Sequence, residues 1–203
     1  MNELKTATTG NIEISYLGVT DSSDNTTFPS AYRDQGQPNS NEAPLKIPTS
    51  PINVMLHNHA TLTTTPIVGN GSLPVHSPGD MNGMWQFYHN GYITSLDNFV
   101  SVVITPDQTV YALTINWPSD FQTNGEKFLK TLRAAEAFYA NKITQGKTNN
   151  LNETAFAKRL KELNMGITLY RGNFNQVQGD ASFTKWTKIK IKNDGTKKDT
   201  NCN

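Results

Sequence analysis

Residues 52–59, Ile52-Asn53-Val54-Met55-Leu56-His57-Asn58-His59, decide how this chain is read. The apolar run through Leu56 has the composition of a buried strand. Side chains alternate faces along a strand, so His57 and His59 project from the same side. Two imidazoles so placed can converge on one metal ion. Downstream, Ser77-Pro78-Gly79-Asp80 brings a carboxylate, Asp80, as a candidate third ligand. Three nitrogen or oxygen ligands with a fourth position left open is the pattern of a catalytic zinc site rather than a structural one.

Upstream of this stretch, Asn11–Val19 alternates Ile12, Ile14 and Tyr16 with Glu13 and Ser15, the pattern of a half-buried strand. Residues 20–51 are polar and rich in Pro, Ser and Asn, and read as a long surface connection with little to build a core. Downstream, residues 60–76 form a second loop with Gly69-Asn70-Gly71 at its expected tip. The period then changes. Met81, Met84, Trp85 and Tyr88 fall on one helical stripe that Asn90-Gly91 should end. Phe99–Thr105 and Thr109–Ile115, joined by Pro106-Asp107-Gln108, read as a β-hairpin.

After Trp117-Pro118, Phe128, Leu129, Leu132, Ala135, Phe138 and Tyr139 give one helical stripe, and Phe156, Leu160 and Leu163 a second. Gly166–Tyr170 and Trp186–Ile191 look like a closing pair of strands. The order predicts an α+β fold, a mixed β-sheet with flanking helices. Residues 1–117 are expected to form the core, with 118–203 a helical and strand extension packed on it.

Composition narrows the function classes. Lys+Arg 18 against Asp+Glu 17 gives a net charge of +1, so no overall basic field invites nucleic acid. The C-terminal lysines are a local exception. Lys188, Lys190 and Lys192 alternate with Ile189 and Ile191, as on the solvated face of a protected edge strand. The single cysteine, Cys202, rules out a disulfide framework and a cysteine-based zinc knuckle. No apolar signal core and no membrane-length apolar run occurs, which predicts a soluble chain without a membrane partner. A fragment of a longer exported protein would equally carry no signal of its own.

The helix start has a plain structural role: Ser77 as N-cap, Pro78 at N1, and Asp80 at N3 near the positive end of the helix dipole. Taken in order, however, the parts (strand, His57-x-His59, loop, Ser77-x-x-Asp80, helix, β-branched strand) resemble the JAMM (MPN/JAB) metalloprotease family. The resemblance covers about residues 11–117. It implies His57, His59 and Asp80 as zinc ligands, Ser77 as a donor to the developing oxyanion, and an upstream glutamate as general base. Glu13 is the best match to that base by position and by element. In the family this carboxylate holds the activated water without ligating the metal. The resemblance implies hydrolysis of a peptide or isopeptide bond in a protein or peptide substrate.

The chain departs from the family pattern in places. Seventeen residues, Ala60 to His76, separate His59 from Ser77. That is about ten more than the motif usually has, and a loop absorbs them at small entropic cost. Ala60 stands where a proline usually follows the second histidine. Glu42 and Glu3 rival Glu13 as base, and a truncated N-terminus would put the true glutamate outside the chain. His76 and His89 read as loop or helix-surface residues. Imidazole ligands favour zinc over magnesium or calcium. Two other classes compete with the enzyme: a non-catalytic JAMM-like binding or scaffold module, and an effector or toxin domain of a longer secreted protein.

Overall fold

The structure is a computed structural model that describes residues 1–20, 25–40, 44–61, 75–139, 143, 149–174 and 185–202. In chain order the elements are α1 (Asn2–Ala7), β1 (Ile14–Thr20), β2 (Thr26–Thr27), a 3-10 turn (Ser30–Tyr32), β3 (Arg33–Gln35), β4 (Ile52–Asn58), α2 (Pro78–His89), β5 (Val100–Ile104), β6 (Thr109–Ile115), α3 (Pro118–Phe128), α4 (Leu132–Tyr139), α5 (Asn149–Glu162), β7 (Ile167–Asn173), β8 (Thr187–Ile191) and β9 (Lys197–Asn201). The fold is α+β. Among the described residues the strands make one nine-stranded mixed sheet, ordered β2-β1-β4-β5-β6-β7-β8-β9, with β3 also on β1.

The parallel pair is β4 with β5, and α2 lies between them in the chain. A parallel connection needs such a crossover, whereas the two-stranded turn between β5 and β6 needs only a few residues. Gln108 closes that turn at φ 67, so the hairpin falls where the sequence puts it. Both faces of the sheet are covered. Met55, Val103, Tyr111 and Leu113 pack under α2 to α5, against Met81, Trp85, Phe121, Phe138 and Phe156. Leu56, Val102, Ile104, Val110 and Ala112 pack on the opposite face with Leu4 of α1. A strand buried on both sides reads as a continuous apolar run, as β4 and β5 do.

Three expectations are corrected. Within 20–51 the chain does add strands: Thr26–Thr27 and Arg33–Gln35 pair with β1, although their side chains carry no apolar alternation. The stripe from Phe128 to Tyr139 is not one helix. α3 ends at Phe128, with Leu129 as its C-cap, and the Thr131 hydroxyl accepts the Ala134 amide at 3.1 Å to start α4 anew. β8 is not the edge, because β9 pairs with it through the turn at Asn193-Asp194-Gly195. The short helix α1 was not foreseen; its one buried side chain, Leu4, gives no periodicity to read. The expected Gly69-Asn70-Gly71 tip and Glu42 lie outside the described residues. Among the described residues no helix is long and apolar enough to cross a membrane.

Candidate metal centre

The end of β4 is fixed from both sides, and this aims its histidines. Ser15 of β1 pairs with His57, and Val103 of β5 pairs with it across the other edge. Asn58, fully buried between the two histidines, faces the other way. Its side-chain oxygen accepts the Ile14 amide at 2.8 Å and its NH2 donates to the Ile12 carbonyl at 3.2 Å. The amide of His59 donates to the Ile104 carbonyl at 2.8 Å, so His59 is held although β4 has ended. His57 and His59 therefore share a face, their rings 5.2 Å apart between centroids.

The opposing wall is the first turn of α2. The Asp80 amide donates to Ser77 Oγ at 3.2 Å, and the Ser77 amide donates to Asp80 Oδ2 at 2.5 Å, a reciprocal capping box with Pro78 at N1. The structural role read from the sequence holds. It also orients the carboxylate. Asp80 Oδ1 lies 3.0 Å from His57 Nε2, and Oδ2 lies 3.3 Å from His59 Nε2. One ligand atom from each of His57, His59 and Asp80 falls within 4.8 Å of the others. This buried His-His-Asp group can hold a metal ion.

Two observations of the site itself fit an ion there. His57 Nε2 is buried and makes no hydrogen bond of acceptable geometry among the described residues, although Asp80 Oδ1 is near. Such an orphaned atom is costly unless something else binds it. The donor set, two imidazoles and a carboxylate, suits a borderline transition-series cation better than a hard one. Burial pushes the Asp80 carboxyl upward, but the neighbouring His57 and His59 outweigh it and hold the group well below the usual carboxylate range. Asp80 is thus an anion ready to ligate.

Glu13 sits just before β1, two residues from Ser15, and by alternation lies on the histidine face. It is not a solvent-facing residue of an amphipathic strand: it is 3 % exposed, and its Oε1 accepts the Ala60 amide at 3.4 Å. It stands outside the His57-His59-Asp80 cluster of mutually close ligand atoms. Ser77 uses an oxygen lone pair to accept the Asp80 amide, and its O–H proton is still there to donate. Glu3, the rival base, is engaged at the surface with Arg33 and Tyr16.

His76 corrects the sequence reading. It is completely buried, its ring nearly parallel to that of Phe156 (10°, centroids 6.3 Å apart), with the Ser101 backbone as a polar neighbour. Burial depresses its pKa to about 3, so it is neutral. His89 matches its reading as a helix-surface residue, stacked on Trp85 at the end of α2. Tyr139 of α4, whose hydroxyl donates to the His76 carbonyl, had no signal in the sequence beyond its place in an apolar stripe. No family model, curated protein or solved structure matches the chain.

Proposed function

We propose that this chain is a zinc-dependent hydrolase of peptide or isopeptide bonds with a JAMM-like core. One observation carries the reading: two same-face imidazoles and a capping carboxylate converge to within 4.8 Å, with a buried glutamate on the same face outside the ligand set. His57, His59 and Asp80 would hold the ion. Zinc, when bound, supplies Lewis acidity that polarises a carbonyl and makes water acidic near neutral pH. Glu13 takes the proton from the attacking water and passes it to the leaving nitrogen. The Ser77 O–H donates to the oxygen of the scissile carbonyl as charge develops on it.

Glu13→Gln tests the assignment, because it keeps the size and hydrogen bonding of the side chain but cannot accept the proton. The zinc-loaded variant is expected to retain its metal and to hydrolyse a library of fluorogenic peptide and isopeptide substrates about 10²-fold more slowly than the wild type. The competing reading, a non-catalytic metal-binding module of the same fold, predicts that both proteins bind zinc and neither cleaves.

A further inference from the structure

The peptide group joining His76 to Ser77 is held at both ends. Its N–H donates to Asp80 Oδ2 at 2.5 Å. Its carbonyl accepts the Tyr139 hydroxyl, and a carbonyl can only accept, so the direction of that bond is fixed. A peptide group is planar, with C=O and N–H pointing in opposite directions, so anchoring one end aims the other. Tyr139 Oη–H, the His76 carbonyl, the Ser77 amide and the Asp80 carboxylate therefore form one chain of donors and acceptors running from α4 into the metal centre. Hydrogen bonds in series polarise one another and strengthen the terminal contact.

We propose that Tyr139 is a positioning residue for the metal centre: through the His76–Ser77 peptide it sets where the Asp80 carboxylate lies. The inference rests on the metal-site reading above and gives the extension beyond residue 117 a role in the site. The surroundings favour it. Tyr139 is 4 % exposed and ends α4, and the bond its hydroxyl makes is buried. Its ring, with Phe138, packs on Phe156 of α5, centroids 5.9 and 6.2 Å away, and Phe156 in turn lies against the His76 ring. Burial, and then the charge of Asp80, push the phenol pKa well above its ordinary value and keep the proton on Oη. Groups that orient a metal ligand from behind typically govern affinity by about 10- to 100-fold.

The test is zinc titration of the full chain against a competing chelator, with the absorption spectrum of the cobalt(II)-loaded protein as a second readout. Tyr139→Phe deletes the hydroxyl and keeps the ring. It is expected to weaken zinc binding by about 10-fold or more and to change the cobalt ligand-field bands. Phe138→Leu loosens the same aromatic cluster without touching the bond. It should lower Tm and leave both readouts in place, which separates positioning from general packing. Should Tyr139→Phe fail to fold, hydrogen exchange on the wild type decides: zinc should protect the 76–80 and 135–139 segments together. A wild type that binds zinc normally, with Tyr139→Phe equal to it in affinity and spectrum, overturns the proposal; so does zinc protection confined to 76–80. A wild type that binds no zinc removes the metal-site reading itself.

Discussion

Two carboxylates, the half-buried Asp80 and the fully buried Glu153, are lowered by helices onto the same face of one sheet, and they are treated differently. His57, Val103, Tyr111 and Arg171 form a single cross-strand row through β4, β5, β6 and β7, so the two acids are served by the same register. The row spans three strand spacings, about 14 Å. At its far end Glu153 of α5 is closed: Arg171 Nη1 donates to both carboxylate oxygens at 2.9 and 2.8 Å, and Lys197 Nζ adds a third contact at 2.7 Å. Asp199 balances the second cation. At the near end Asp80 faces imidazoles, and His57 Nε2 makes no hydrogen bond of good geometry among the described residues. Permanent cations saturate a carboxylate; imidazoles offer lone pairs that a metal ion can share. The first arrangement fixes α5 to β7 and β9. The second is open to a ligand.

The sharpest way to break this contrast is Glu153→Ala. It leaves Arg171 and Lys197 without their buried partner, and both are partly exposed, at 29 % and 20 %. The expected cost is at the low end for a broken buried pair, about 3 kcal/mol by urea unfolding. Zinc stoichiometry should be unchanged. Lost zinc binding in a folded Glu153→Ala protein would mean that the two ends are one unit.

Ser77→Ala comes next. Loss of the cap should lower stability by about 1 kcal/mol in chelator. If turnover also falls by about 10²-fold while the fold survives, the hydroxyl serves the oxyanion as well. A variant that loses stability alone would take Ser77 out of the chemistry.

The smallest effect at neutral pH is expected for His76→Phe. His76 has a folded-state pKa of about 3 against 6.5 for the free side chain, so between those values the unfolded chain binds the extra proton. Its contribution is fully present above about pH 6.5 and is lost as pH falls toward 3. In chelator, the variant should therefore gain on the wild type between about pH 7 and pH 5 by Tm. A stability difference independent of pH would contradict the buried neutral imidazole.

What could be read in the sequence was local. Same-face histidines follow from strand alternation, and Ser77-Pro78-x-Asp80 is a helix start written in four residues, so His57, His59 and Asp80 needed no knowledge of the rest of the chain. The β5–β6 hairpin was legible for the same reason. Long-range contacts were not. The Tyr139 hydroxyl reaches a carbonyl 63 residues away, and nothing in a helical stripe marks that one tyrosine as a donor. Burial of His76 depends on Phe156 of α5. Thr131 and Asn193-Asp194-Gly195 did carry signals, a helix cap and a hairpin turn, that would have divided α3 from α4 and placed β9.

The most direct measurement is the metal content of the purified wild type beside His57→Ala, by elemental analysis after exhaustive dialysis, with X-ray absorption on the wild-type metal. About one zinc per chain is expected in the wild type, held by two imidazoles and a carboxylate at roughly 2 Å, and lost in a folded His57→Ala protein. A wild type without bound zinc, or a His57→Ala protein that holds as much zinc as the wild type, would contradict that expectation.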